Sequence, residues 1–344
     1  MDFIKQTPFI SICIPSYNRP EKLYELLNSV DSDYVDEIEI VICEDDSPKR
    51  REIKNAVEKY KSISKFRIVY KENEKNLGYD KNLKELIRNS TGEWIIFMGD
   101  DDQFVPNTLD KFIDFLKQHD DFGYILRSHR KIDKNGKIEE FRYYKETRFF
   151  KPGPDTFVDL FRKSVFISGF TIKRDLILPY LIDDFDGTAL FQIYLLGEVV
   201  LKYKSAYFDE PLTQEVLLTD YRKKEMLYLA DKKIFVPRLC SVENSLRFLS
   251  GYAKVMEFFD KKYNLNITPA IKKDMSKYFY PSLSIHRDKG LITFLKYVFQ
   301  VNNLGFNISF YYYVYILFLI IFGKNICDNA IMVIKNIFGR TPKL

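Results

Sequence analysis

The chain has 344 residues, a formal net charge of +5 and a hydrophobic content of 46%. These values exclude a disordered or fibrous protein and predict two domains, or one domain with an extension. Its four cysteines have no C-x-x-C spacing, so a disulfide framework is not expected and a reducing cytoplasm is favoured. Its three histidines lack metal-ligand spacing, so a histidine metal centre is not expected either.

Four short apolar runs near the start of the chain predict buried strands. They occupy residues 9–14, 38–43, 66–70 and 94–98. Segments with helical apolar spacing separate them, at residues 23–30, 53–60 and 83–87. The alternating order predicts an α/β fold with a mostly parallel sheet flanked by helices. The loops that follow these strands should line one cleft, because the carboxyl ends of parallel strands meet at one edge.

Acidic residues follow two of these strands. Asp45 and Asp46 follow the second, and Asp100, Asp101 and Asp102 follow the fourth. Adjacent carboxylates repel one another, and a divalent cation is the simplest countercharge. Mg²⁺ and Mn²⁺ take carboxylate oxygens and keep positions open for phosphate oxygens, so a metal–phosphate site is predicted. The alternative is a helix start, with Asp100 or Asp102 as its N-cap.

Four ordered motifs carry a family resemblance across roughly residues 8 to 200. They read I-S-I-C-I-P-S-Y-N-R, V-I-C-E-D-D-S, N-L-G-Y-D-K-N and G-E-W-I-I-F-M-G-D-D-D-x-x-x-P. Their order resembles a family 2 glycosyltransferase of the Rossmann-like GT-A fold, of the bacterial surface-polysaccharide type. The resemblance implies an inverting transfer from a nucleoside-diphosphate sugar, with a UDP-sugar favoured as donor and Mn²⁺ or Mg²⁺ as cofactor.

The resemblance also assigns donor and metal residues. The residues that would line the base pocket are Pro15, Ser16, Tyr17 and Arg19. Asp46 would accept a hydrogen bond from the base, and Asp101 matches the metal ligand. Gly99 stands where the family commonly has its first Asp. Asp100 is assigned to the donor and Asp102 to the metal, and it stays open which of these two assists Asp101. Lys81 would approach the donor phosphates; the alternative is a solvated lysine in the first turn of a helix.

The acceptor half should supply a general base, because an inverting transfer must remove the proton of the attacking hydroxyl. Family members often carry an acidic pair at the start of a helix at this point of the chain. Here Asp184 and Asp186 lie just before an apolar stretch, predicted as a helix over residues 188–200. Asp186 is preferred and Asp184 is the second choice. The alternative for both is helix capping.

Charge divides the chain unevenly. Residues 216–344 contain 20 Lys and Arg against 9 Asp and Glu, a net charge of +11, whereas residues 1–215 have a net charge of −6. We therefore predict a GT-A domain over 1–215 and a mainly helical, basic and apolar extension over 216–344. The basic clusters, which include residues 222–224 and 232–233, are expected to meet an anionic membrane. No nucleic-acid-binding motif is present, so nucleic acid is not an expected partner.

An uncharged stretch lies inside this extension, at residues 297–323, and a second apolar segment follows at 331–337. A transmembrane helix needs about 20 predominantly apolar residues, so the first stretch could span the bilayer, lie in its interface or form a buried helix. Two neighbouring apolar segments with flanking lysines favour a hairpin-like or in-plane anchor.

The sequence thus predicts a metal-dependent inverting glycosyltransferase at the inner face of the cell membrane. It would transfer a sugar to a hydroxyl of a lipid-linked or growing surface glycan. One alternative is a non-catalytic nucleotide-sugar binding module. Another is a sugar nucleotidyltransferase, which usually has a glycine-rich first loop; the first loop here, residues 15–20, contains no glycine.

Overall fold

The computed structural model describes residues 7–133, 135–216 and 239–338. The chain forms two compact units, one of residues 1–187 with 191–220 and one of residues 188–190 with 221–344. The predicted domain boundary after residue 215 falls at the end of the last strand of the first unit.

The first unit alternates strands and helices as predicted over its first 100 residues. In chain order its elements are β1 (Ile10–Ser16), α1 (Pro20–Asn28), β2 (Ile38–Glu44), α2 (Arg50–Lys61), β3 (Arg67–Glu72), α3 (Tyr79–Asn89), β4 (Trp94–Phe97), β5 (Asp102–Phe104), α4 (Leu109–Lys117), β6 (Phe122–Ile132), β7 (Ile138–Phe141), β8 (Arg148–Phe150), α5 (Pro154–Phe161), β9 (Phe170–Lys173), α6 (Phe191–Val200) and β10 (Lys204–Val216).

These strands form one sheet in the order β3-β2-β1-β4-β9-β6-β10-β5, with β7 paired to β6 and β8 to β10. The first four strands in this order are parallel, so their carboxyl ends share one edge. β9 pairs antiparallel to both β4 and β6 and introduces the mixed half of the sheet. The predicted fold class, an α/β sheet flanked by helices with a helical C-terminal part, is confirmed.

Strands β1, β2 and β4 are buried because helices cover both faces of the sheet, whereas the edge strand β3 is half-exposed. The side chains of β2 and β4 are all buried, including the carboxylates of Glu39 and Glu44 in β2. Leu23 of α1 and Ile53 of α2 pack with β1 and β2 in one hydrophobic core, which also contains Trp94. This packing fixes the strand ends, and with them the loops that carry polar residues.

The interpretation of the triple aspartate as a helix start is wrong. Asp102 begins β5, which pairs antiparallel with β10 and aligns Asp102 with Glu215. The next helix, α4, begins only at Leu109. Asp100 and Asp101 therefore lie in a turn between two strands, and Asp102 is the first residue of the second strand. The amide of Asp102 donates to the carbonyl of Gly99 at 3.1 Å.

The helix predicted over residues 188–200 begins later, at Phe191. Gly187 has φ +80° and Ala189 has φ +56°, and this left-handed backbone is incompatible with a helix. Asp184 and Asp186 are therefore too far from the helix start to cap it, and the capping alternative is wrong. Asp80 of α3 contacts this helix start instead: its Oδ1 accepts a hydrogen bond from the amide of Phe191 at 3.2 Å.

The second unit is helical in its described residues, as predicted. Its helices are α7 (Val242–Tyr263), α8 (Thr268–Lys277), α9 (Tyr280–Asp288), α10 (Leu291–Asn303) and α11 (Phe310–Phe338). Gly323 interrupts α11 with φ +71° and ψ 179°, which makes it two helical segments joined by a kink. The basic clusters at residues 222–224 and 232–233 lie outside the described residues.

Candidate functional site

Three polar loops meet at the carboxyl end of β1. Ser16, the last residue of β1, pairs with Glu44 at the end of β2. The carbonyl of Ser16 accepts a hydrogen bond from the amide of Asp45 at 3.1 Å. On the other side, the amide of Tyr17 donates to Oδ2 of Asp100 at 3.1 Å. The loops after β1, β2 and β4 are thus joined at one edge of the sheet, as the parallel order predicted.

Arg19 binds two of the three consecutive aspartates. Its Nη1 lies 3.1 Å from Oδ1 of Asp100 and 2.9 Å from Oδ2 of Asp101. Both carboxylates are buried, with 2% and 9% of their surface exposed, whereas the Arg19 side chain is 24% exposed. A partly exposed guanidinium therefore balances two buried negative charges, at the point where the resemblance places the nucleotide.

Asp102 lies in a different environment from its two neighbours. Its Oδ2 accepts a hydrogen bond from the hydroxyl of Ser168 at 2.5 Å, and the same hydroxyl accepts one from the amide of Gly99 at 2.8 Å. A Cβ at Gly99 would lie 3.1 Å from Oδ2 of Asp102 and 3.3 Å from Oδ1 of Asp101. The turn is therefore packed so tightly at position 99 that a side chain there would have to displace a carboxylate.

Mg²⁺ and Mn²⁺ fit this set of oxygens, although no group of three or more His, Cys, Asp or Glu side chains among the described residues forms a closed metal cage. Mg²⁺ is usually held by one or two carboxylates together with substrate phosphates, and such a site needs no third protein ligand. Asp100 and Asp101 already direct one oxygen each at a single cationic nitrogen. The pair is thus suited to a hard cation that also binds phosphate.

Asp45 and Asp46 differ although they are adjacent. Asp45 is buried and accepts hydrogen bonds from the amides of Leu77 and Gly78, at 2.8 and 2.9 Å, so it fixes the loop before α3. Burial raises the pKa of the Asp45 carboxyl, and the backbone amides that donate to it partly offset that rise. Asp46 has φ +53° and a side chain 45% exposed, 3.4 Å from Arg50. Of the two, Asp46 is the one that a ligand can reach.

The acidic turn before α6 is held by lysines of α3. Oδ1 of Asp186 lies 2.7 Å from Nζ of Lys84, and its Oδ2 lies 3.6 Å from Nζ of Lys81. Lys84 is 1% exposed and also donates to the carboxylate of Asp183. This hydrogen bond lowers the pKa of Asp183. Asp184 is exposed.

Sequence reasoning missed Ser168 and Lys84. Ser168 lies 66 residues from Asp102, and Lys84 lies 102 residues from Asp186, so no local pattern links either pair. The only sequence signal that Lys84 is buried is its position next to the apolar Leu83 in an amphipathic helix. Of the predicted residues, Tyr17, Arg19, Asp100 and Asp101 come together in direct contact. Lys81 contacts Asp186 rather than this group.

Comparison with known proteins decides the family. The family model described as glycosyl transferase family 2 matches residues 11–172. This segment, just under half of the chain, is similar to glycosyl transferase family 2. The family read from the sequence motifs is confirmed, and the matched segment contains the loops after β1, β2 and β4 described above.

Relatives of the glycosyltransferase domain agree with this assignment. An abequosyltransferase of Salmonella typhimurium is 33% identical over 100 residues, which cover 29% of this chain and 30% of that protein. Thus the matched segment spans less than a third of this relative's length.

Two solved structures share the fold. Staphylococcus aureus TarS residues 1–349, in complex with UDP-GlcNAc, is 17% identical with a TM-score of 0.57 and covers 87% of this chain and 81% of its own. A mannosyltransferase from Pyrobaculum calidifontis, in complex with GDP-Man and Mn²⁺, is 14% identical with a TM-score of 0.52. The match covers 94% of this chain and 88% of the mannosyltransferase chain. The first unit therefore has the predicted GT-A fold.

Proposed function

We propose that this protein is a metal-dependent, inverting glycosyltransferase that uses a nucleoside-diphosphate sugar. The observation that carries the proposal is the convergence of Arg19, Asp100 and Asp101 where the loops after β1 and β4 meet. A site that joins paired carboxylates to a guanidinium suits a diphosphate and its divalent cation. Two proteins of the same fold, bound to UDP-GlcNAc and to GDP-Man with Mn²⁺, support this class of donor.

The chain's own residues would bind the donor in the following way. Asp101, with Asp100 or Asp102, would hold Mn²⁺ or Mg²⁺, which as a Lewis acid stabilises the charge that develops on the leaving diphosphate. Arg19 would exchange its contact with the two carboxylates for one with phosphate oxygens, because a guanidinium binds both groups. The nucleotide base would lie against Pro15, Ser16 and Tyr17, with Asp46 accepting a hydrogen bond from its ring N–H.

Asp186 is the general base in this proposal, and Asp184 is the second candidate. A base must be held in place at hydrogen-bond distance from the attacking hydroxyl. The side chain of Asp186 is 17% exposed and its two oxygens lie near Lys84 and Lys81, which fix its orientation. Asp184 is exposed. Removal of the hydroxyl proton by Asp186 during attack from the face opposite the diphosphate would invert the anomeric carbon.

The experiment that tests this function is a donor screen. The full chain is incubated with each common UDP-, GDP- and dTDP-sugar in Mn²⁺, and the release of nucleoside diphosphate is measured with and without excess chelator. We expect release from one donor class, UDP-sugars first, and its loss in chelator. Tight nucleotide-sugar binding without release, even with membrane lipid or glycan added, would indicate the binding module instead.

We further propose that the second unit binds the inner face of the cell membrane, in the plane of the bilayer. Among the described helices, only the segment Phe310–Ile334 is long and apolar enough to cross a membrane, and 11% of its most apolar window is buried. A core helix would be largely buried, so this low value supports contact with an apolar environment outside the protein. The acceptor would then be a lipid-linked or membrane-proximal glycan.

The kink at Gly323 supports an in-plane helix rather than a span. Each segment of α11 has at most 15 residues and is about 20 Å long at 1.5 Å per residue, whereas the hydrocarbon core is about 30 Å thick. Polar contacts hold the kink to α9 of the same unit. Nε of Arg287 donates to the carbonyl of Leu319 at 2.9 Å, and the hydroxyl of Tyr280 donates to Asp328 at 2.6 Å.

A further inference from the structure

Ser168 connects the acidic turn to the mixed half of the sheet. Its hydroxyl donates to Oδ2 of Asp102 at 2.5 Å and accepts from the amide of Gly99 at 2.8 Å. The side chain is fully buried. One hydroxyl thus fixes both ends of the turn that carries Asp100 and Asp101.

The backbone of Ser168 is itself held firmly. Its carbonyl accepts hydrogen bonds from Nη2 of Arg127 at 3.0 Å and from the hydroxyl of Thr213 at 2.8 Å. Arg127 also donates to the carbonyl of Phe170 at 2.8 Å and is fully buried. Burial lowers the pKa of its guanidinium to about 9, which still leaves it charged at neutral pH. A buried cation and a threonine from two strands therefore fix Ser168 in one position.

The close packing around Gly99 makes the contacts of Ser168 important for the shape of this turn. A Cβ at Gly99 would lie 3.5 Å from the Ser168 hydroxyl as well as against the two carboxylates. A side chain at position 99 would therefore press on the carboxylates of the turn, and the acidic residues of this chain lie at positions 100–102. The third of these carboxylates, that of Asp102, is the one that Ser168 binds.

We infer that Ser168 is a positioning residue for the cation site: by holding Asp102 and Gly99, it aligns the acidic turn to bind Mn²⁺ or Mg²⁺ together with the donor diphosphate. The inference rests on the proposed function. Groups that orient metal ligands typically change metal affinity 10- to 100-fold when they are removed.

The test measures Mn²⁺ affinity directly, by electron paramagnetic resonance of free Mn²⁺ titrated into the full chain with UDP, and again with GDP. We expect Ser168→Ala to weaken Mn²⁺ binding at least tenfold, while nucleotide binding in chelator stays within twofold of wild type. The matched control is Ser90→Ala, since Ser90 is also a fully buried serine and donates to the carbonyl of Ile87 at 2.8 Å, away from the site. This control should bind Mn²⁺ as the wild type does.

A second variant keeps the test decisive if Ser168→Ala does not fold. Thr213→Val removes only the hydrogen bond to the Ser168 carbonyl and should weaken Mn²⁺ binding several-fold. Wild-type Mn²⁺ affinity in both folded variants, or in Thr213→Val alone if Ser168→Ala is unfolded, would overturn the inference and leave the proposed function standing. Absence of nucleotide-dependent Mn²⁺ binding in the wild type would overturn both.

Discussion

Adjacent residues in the loop after β2 differ in burial and in backbone conformation. Asp45 is buried, with its carboxylate bound to the amides of residues 77 and 78. Asp46, in left-handed backbone, extends into solvent beside Arg50. Loss of Asp45 should therefore cost stability, whereas loss of Asp46 should cost ligand affinity.

We predict that Asp46→Ala weakens nucleotide binding about tenfold and lowers the free energy of unfolding by about 1 kcal/mol at most. An exposed loop carboxylate contributes little to the core, and the small loss of stability arises because Ala tolerates left-handed backbone less well than Asp does. Calorimetry with UDP and GDP measures the first effect and urea denaturation the second. Asp45→Asn, which breaks buried hydrogen bonds, should instead destabilise the protein by about 1–3 kcal/mol. Unchanged nucleotide affinity in folded Asp46→Ala would rule out its base contact.

His129 makes the first unit sensitive to acid. Its ring stacks on Phe141 at 4.9 Å, and burial lowers its pKa from 6.5 to about 4, with Arg127 acting in the same direction and Glu215 opposing it. Between these two pKa values the unfolded chain binds a proton at His129 that the folded chain does not. The free energy of unfolding is therefore highest above pH 6.5 and falls as the pH approaches 4.

We predict that His129→Phe removes about 1–2 kcal/mol of the stability loss between pH 7 and pH 5. Trp94, the only tryptophan of the chain, is buried in the first unit, so its fluorescence in urea follows that unit. Wild type and variant are compared at both pH values. The same pH dependence in both proteins would mean that His129 titrates normally when folded.

At the scale of elements, the sequence predicts what is set locally and misses what depends on distant contacts. The four parallel strands and the meeting of their loops follow from apolar runs and polar interruptions, and these predictions are confirmed. The start of α6 was misplaced because Gly187 and Ala189 have left-handed backbone that an apolar pattern does not reveal. The contacts of Ser168 and Lys84 come from tertiary packing across more than 60 residues.

The contacts between the lysines of α3 and Asp186, in the turn before α6, lead to a prediction for catalysis. Asp186→Asn should lower kcat about 100-fold or more with donor affinity unchanged, because the general base is removed and the turn keeps its shape. Asp183→Asn is the matched control, since Asp183 is an exposed acidic residue that contacts the same Lys84, and it should retain most activity. If Asp184→Asn abolishes turnover and Asp186→Asn does not, the base is Asp184. Full activity in both Asp186→Asn and Asp184→Asn would place the base elsewhere.

At the scale of the whole molecule, the apolar face of α11 and the excess of positive charge after residue 215 should act together. Burial of apolar side chains is insensitive to salt, whereas attraction of basic residues to anionic lipid is worth about 1 kcal/mol each near the surface and is screened. A membrane contact built in this way should survive high salt in part.

We predict that the full chain sediments with anionic liposomes and that high salt weakens this only partly. Replacing two exposed residues of α11, Phe318 and Ile321, by Asp should abolish sedimentation at high salt, where the attraction of the basic residues is screened, and leave donor hydrolysis intact. Ile63→Asp, at an exposed apolar residue of the first unit, is the control and should sediment normally. A wild-type protein that stays in the supernatant at low salt would contradict the membrane contact.

The central claim is that the acidic turn after β4 uses a divalent cation to release a nucleoside diphosphate. The most direct measurement is the initial rate of diphosphate release from the preferred nucleotide sugar, titrated with Mn²⁺, for wild type and Asp101→Ala side by side. We predict a wild-type rate that saturates with Mn²⁺ and vanishes in chelator, and a rate in folded Asp101→Ala reduced at least 100-fold, because the cation stabilises the leaving diphosphate by several kcal/mol. A wild-type rate that persists in excess chelator, or an Asp101→Ala rate equal to it, would contradict the account.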